Sequence, residues 1–221
     1  MDAYELAAKL PPIEVLRDRC RALAVLDRTL AGEDAYHYYV PVWGEGQAAI
    51  HQNGGGDEWA VIFTPDGCFI RVFDHESKMT PYRDSDMDLW PGLFDGLPEA
   101  FRDQLEEPAF SDDGDYVATA LLWRGFGDPQ WATGRNIVFP EVEGTVAKSP
   151  DGTEMLEILL DDMADRYPDF AEDIYEMVVT ADDVTRVIAR QPLTDELLLA
   201  LNPEADLDDV RGYAAEIGYP A

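Results

Sequence analysis

WAVIFTPDGCFIRVF, residues 59–73, is the stretch that decides the fold. Two runs of β-branched and aromatic residues, Trp59 to Thr64 and Cys68 to Phe73, flank Pro65-Asp66-Gly67. Such side chains suit a pleated, half-buried surface; proline pre-sets the φ of a turn, and glycine takes positive φ without a Cβ penalty. The spacing predicts an antiparallel β-hairpin. Upstream, the alternation of Tyr36, Tyr38, Val40 and Val42 predicts a half-buried strand, with Pro41 moving it toward an edge and His37 on the solvent-facing side. Gln47 to His51 reads as a weaker neighbour, and Tyr116 to Arg124 and Asn136 to Phe139 read as further strands.

Helices flank this sheet region. Pro11 and Pro12 separate a short helix, Ala3 to Leu10, from a longer one over Ile13 to Ala31, stopped by Gly32. On the longer one Ile13, Leu16, Cys20, Leu23, Leu26 and Leu30 share a face. After the Ser149-Pro-Asp-Gly152 turn come about four helices: Thr153 to Asp165, broken by Pro168 and continued over Phe170 to Val178; then one capped by Thr180; one capped by Thr194; and Leu207 to Ile217. Pro98 to Glu106 reads as a short helix between loops. The expected architecture is α+β: a mostly antiparallel central sheet packed against N-terminal helices, with an acidic helical C-terminal third. It is read as one domain, with N-terminal helices at 1–34, the sheet region at 35–140 and helices at 150–221.

The 221 residues carry 46 acidic and 16 basic side chains, a formal net charge of −30, yet 46% are apolar and 11% aromatic. That is core-forming composition, so the charge speaks of partners and solvent rather than fold. It is regional. Residues 84–115 carry −10 and residues 151–221 carry −15, whereas 116–150 are balanced. Nucleic acid and anionic membranes are excluded as partners for want of Lys and Arg. No run approaches the ~18 apolar residues of a membrane helix. The N-terminal MDAYELAAKLPP lacks the basic and apolar regions of a signal peptide. Cys20 and Cys68 read as buried, reduced thiols, which fits a cytoplasmic protein.

No catalytic set or cofactor motif is expected. His37, His51 and His75 are the only histidines. Asp74-His75-Glu76 ends the second hairpin strand, but adjacent side chains of an extended segment diverge, so no metal site is assigned there. Asn53-Gly54-Gly55-Gly56-Asp57 lacks the lysine and helix of a phosphate loop. Asp84, Asp86 and Asp88 resemble the start of a calcium loop, but Pro91 and Gly92 break it. Trp59 and Trp123 lie in strands and belong to the core, while Trp90 and Trp131 lie in loops and are expected nearer the surface.

GGGDEWAVIFTPDGCFIRVFDHES (residues 54–77), WPGLFDGLPEAF (90–101) and PLTDELLLALNP (192–203) resemble a group of uncharacterised bacterial proteins with a similar central block. More distantly, the order of elements is similar to the Smi1/Knr4-like (SUKH) superfamily, which implies an immunity protein that neutralises a toxin and implies no catalytic residues.

The leading expectation is therefore a nonenzymatic acidic interaction protein with a basic, toxin-like protein partner. Its partner-binding residues would be Asp84, Asp86, Asp88, Trp90, Phe94, Asp112, Asp113 and Asp115, with Phe110 as a further anchor. The alternative is a small-molecule binder or enzyme with a pocket around His75, Tyr82 and Trp90.

Overall fold

The computed structural model describes residues 1–142 and 149–220. In chain order the elements are helices α1 (Ala3–Lys9) and α2 (Ile13–Ala31); strands β1 (His37–Trp43), β2 (Gly46–Gln52), β3 (Glu58–Thr64), β4 (Gly67–Phe73), β5 (Ser111–Asp112), β6 (Asp115–Tyr116), β7 (Ala120–Gly125) and β8 (Ala132–Thr133); and helices α3 (Met163–Tyr175), α4 (Ala181–Ile188), α5 (Asp195–Leu201) and α6 (Leu207–Glu216). The fold is α+β, and the strand ladders are antiparallel. Two compact units are present, one from Met1–Ile13 and Gln52–Glu157, the other from Glu14–His51 and Ile158–Ala221.

In the first unit the expected hairpin is β3–β4, with Trp59 opposite Val72, Val61 opposite Ile70 and Thr64 opposite Gly67. The β4 strand also pairs with β7, and β7 with β8, while α1 packs on β7 and β8. Every residue of β4 is buried. Its one charge, Arg71, is 1% exposed. The Nη1 atom of Arg71 reaches Glu58 at 2.5 Å and its Nε donates to the Val117 carbonyl at 2.7 Å. These bonds, with the rings of Phe73 and Phe110 each 5.3 Å from the guanidinium, compensate a charge that burial would otherwise expel.

The expected strand over Tyr116 to Arg124 divides: Ala120–Gly125 joins the main ladder, while Tyr116 pairs with Ser111 in the small β5–β6 hairpin. Asn136 to Phe139 is not a strand, because side chains take its backbone groups. The Ile137 N–H donates to Tyr4 Oη at 3.2 Å, and Trp90 Nε1 donates to the Val138 carbonyl at 3.0 Å. Residues 99–106 form 3-10 turns rather than an α-helix. Trp59 and Trp123 lie in the core, as expected. Trp131 does too, at 3% exposed, with its Nε1 donating to the Pro11 carbonyl at 2.7 Å.

A buried carboxylate ties the N-terminus down. Asp151 Oδ2 accepts from the Ala3 N–H at 2.9 Å, and its Oδ1 accepts from Ser149 Oγ at 2.5 Å and Thr153 Oγ1 at 2.7 Å. Desolvation still pushes its carboxyl above the ordinary range, against the pull of these bonds.

The second unit places α2 with the β1–β2 hairpin and α3–α6. The face from Ile13 to Leu30 is buried as expected, and Cys20 and Cys68 are both buried and not joined in a disulfide. Burial raises the Cys20 pKa and so disfavours its thiolate. Arg28 holds Asp209 through two bonds of 2.7 and 2.6 Å, joining α2 to α6. The β1 strand has the expected period but the opposite face. His37 and Tyr39 are buried, while Val42 is 76% exposed, because Asp27 of α2 draws His37 inward.

The C-terminal third also differs in detail. Thr153–Leu159 is a 3-10 helix, and Pro168 lies inside α3 instead of breaking it. Its missing N–H forgoes one intrahelical bond, which the burial of Met163, Tyr167 and Ala171 offsets. Thr180, Thr194 and Asp206 cap the last three helices by accepting from the N–H groups of Asp183, Leu197 and Asp209. Each of those helices carries two acids in its first turn. Acids there face the positive end of the helix dipole, so part of the −15 has a stabilising role.

Candidate functional site

The acidic segment after β4 is shaped by its apolar residues. Leu93, Leu97 and Phe101 are buried and pull the chain inward, while Phe94 stays 48% exposed. Gly92 makes the closure sterically feasible: φ is +91°, and a Cβ there would lie 2.4 Å from the Arg135 carbonyl oxygen. Trp90, half-buried, is fixed by its bond to the Val138 carbonyl. Thr80 caps the short Pro81–Arg83 turn, and Arg83 Nη1 donates to the Thr80 carbonyl at 3.0 Å. That fixes the guanidinium of Arg83 over the Trp90 ring, 5.3 Å from its centroid.

The outcome is a groove of about 460 Å³ whose walls include Asp86, Asp88, Asp95 and Asp115, with Trp90 and Phe94 as its aromatic surface. Of the residues singled out from sequence, it gathers Asp86, Asp88, Trp90, Phe94 and Asp115. Asp95 and Arg83 join them although no motif marks either; only their place between the acids and the glycine turns could have suggested it. Tyr116 also lines the groove, its hydroxyl buried without a hydrogen-bond partner among the described residues.

The remaining candidates sit elsewhere. Asp84 is exposed and pairs with Arg83, Oδ2 to Nε, at 3.4 Å. Asp112 and Asp113 lie on the small β5–β6 hairpin. Asp112 accepts from the Tyr82 hydroxyl at 2.6 Å, and this bond, aided by desolvation, pushes the Tyr82 phenol up to about 12. Phe110 is 3% exposed and packs edge-on against Tyr116, so it is a core residue and no anchor. Of His75, Tyr82 and Trp90, only Trp90 lines the groove.

His75 belongs to a separate cluster at the end of β4. Its Nδ1 lies 2.7 Å from Asp57 Oδ1. That bond raises the His75 pKa. Desolvation pushes Asp57 up, but the bonds from His75 and Asn53 outweigh it and lower its pKa. Asp57, Asp74 and His75 offer donor atoms within 4.8 Å of one another and are the residues that could hold a metal. Their atoms are engaged already, since Asp74 Oδ1 accepts from the Glu76 and Ser77 N–H groups.

A third polar cluster carries no sequence motif. Asp27, fully buried, accepts from Tyr167 Oη at 2.8 Å, Tyr175 Oη at 2.5 Å and the His37 N–H at 3.0 Å, with His37 Nδ1 at 2.8 Å. His37 stacks on His51 with ring centroids 4.5 Å apart. Burial, then the Asp27 charge, raises both phenols. So many donors saturate the carboxylate, which suits a fixed structural charge better than a reacting base.

No family model matches the chain, and neither a curated protein nor a solved structure matches it. Among the described residues no helix is long and apolar enough to cross a membrane.

Proposed function

We propose that this chain is a nonenzymatic interaction protein that captures a basic protein partner in the groove beside Trp90. The observation that carries the reading is Arg83 over the Trp90 ring within a wall of Asp86, Asp88, Asp95 and Asp115. The chain's own guanidinium occupies the kind of place an incoming Arg or Lys would take, between an aromatic face and carboxylates. The −10 carried by residues 84–115 would steer such a partner over longer range and set the on-rate. Trp90 and Phe94 would supply the apolar anchors. The resemblance to SUKH-type proteins makes a basic toxin, neutralised in the cytoplasm, the partner class we favour.

A fluorescent hexa-arginine peptide tests the groove's chemistry, with hexa-glutamate as the control. The reading expects capture of hexa-arginine alone, quenching of tryptophan emission, and affinity that falls steeply between 50 and 200 mM salt, screening lengths of roughly 14 and 7 Å. Equal binding of both peptides, or no binding of hexa-arginine at low salt, overturns it.

A further inference from the structure

A second cleft of the first unit shares no lining residue with the acidic groove, and its chemistry is the opposite. This open cleft measures about 850 Å³ beside α1 and β8, a volume within the ~300–1,000 Å³ typical of small-molecule sites. Tyr4, Arg124, Gln130, Trp131, Arg135 and Asn136 contribute its polar and aromatic lining, with alanines of α1 as the apolar side, and among the described residues no carboxylate lines it. In a chain of net charge −30 that exclusion is informative, and it falls in the one balanced region, residues 116–150.

The two arginines are also placed differently from others in the molecule. Arg19, Arg28 and Arg190 meet Asp161, Asp209 and Asp18. Arg124 instead donates Nε and Nη2 to the carbonyls of Asp128 and Pro129, at 3.2 and 3.0 Å. Those bonds orient its guanidinium without neutralising it. Arg135 is exposed and forms no ion pair or side-chain hydrogen bond among the described residues. It lies against Gly96, where a Cβ would fall 2.7 Å from Nε. Tyr4 Oη accepts from the Ile137 N–H, which leaves its own proton to donate. Arg124, Arg135 and Tyr4 therefore present donors and positive charge above a floor that includes the buried Trp131.

We infer that this cleft binds a small organic anion, a flat or apolar body bearing a carboxylate or phosphate that Arg124 and Arg135 clamp. Fork-shaped guanidinium donors match both oxyanions, and the alanine side of α1 with the Trp131 ring takes the body. The two sites share no lining residue and want opposite charges, so an anion probe here and hexa-arginine at the acidic groove report on them separately.

The test is a titration of the full chain with benzoate, phenyl phosphate and neutral benzamide, followed by the Trp131 indole N–H resonance. The inference expects both anions to shift that resonance and benzamide not to; the tighter anion identifies carboxylate or phosphate as the natural group. Arg135→Gln, at an exposed residue, should weaken the anions about tenfold, the effect of one charge-assisted hydrogen bond, and Arg124→Gln likewise. Equal binding of benzamide, anion binding unchanged in both variants, or no shift with any probe at millimolar concentration overturns the inference.

Discussion

The Arg83 guanidinium lies over the Trp90 indole, 5.3 Å from the ring centroid, while its Nε also faces Asp84 at 3.4 Å. The chain thereby partly covers its own groove with a cation. Removing that cation exposes the aromatic face and deepens the local negative potential. In Arg83→Ala, affinity for hexa-arginine should rise about three- to tenfold, as expected for a cation–π contact of ~0.5–1.5 kcal/mol made available to the ligand. A fluorescence titration reads the change; a loss of affinity would mean that Arg83 organises the groove rather than competing for it.

The Asp27 cluster should dominate the stability of the second unit. Asp27→Ala leaves Tyr167, Tyr175 and His37 without their shared acceptor. Urea unfolding should show a loss of about 3–5 kcal/mol. A loss below ~1 kcal/mol would show that these donors find other partners.

Arg71 and Glu58 form a pair with one buried member. Glu58→Gln should cost about 2–4 kcal/mol, because the buried guanidinium loses its counter-charge. Adding Arg71→Met should restore part of that loss, since the uncompensated charge is then gone. A double-mutant cycle by chemical denaturation checks it, and strictly additive losses would contradict the coupling.

His75 and Asp57 give a pH signature. The histidine's folded pKa is raised, chiefly by its bond to Asp57, so its contribution is fully present below its ordinary 6.5 and fades as pH rises through the folded value. Asp57, held low against desolvation by His75 and Asn53, contributes above its ordinary 3.8 and loses that contribution as pH falls through the folded value. The pair therefore supports the fold most between the two ordinary values. An NMR titration should find the His75 midpoint above 6.5 in the parent and lower in Asp57→Asn. An unchanged midpoint would remove Asp57 as the cause.

What sequence made legible was local. The β3–β4 hairpin follows from two strand-forming runs and the Pro65-Asp66-Gly67 turn, and the Thr180 and Thr194 caps from contacts three residues away. What it hid was set at a distance. Trp131 is buried, and the Pro11 carbonyl, 120 residues away, receives its indole N–H. His37 turns inward because Asp27 also gathers Tyr167 and Tyr175. Sequence singles out Asp84, Asp86, Asp88, Asp112, Asp113 and Asp115 among the acids of 84–115, yet closure at Gly92 against residue 135 gathers Asp86, Asp88, Asp95 and Asp115 in one groove.

Two four-charge variants separate that groove from the net charge of the chain. The variant Asp86→Asn/Asp88→Asn/Asp95→Asn/Asp115→Asn removes four charges from the groove, and Asp165→Asn/Asp169→Asn/Glu172→Gln/Asp173→Asn removes four exposed charges from α3. Hexa-arginine affinity at 50 mM salt should fall at least tenfold in the first, roughly 0.5 kcal/mol or more per close charge, and less than threefold in the second. Equal losses in both would mean that net charge alone attracts the peptide and that the groove beside Trp90 is not the binding site.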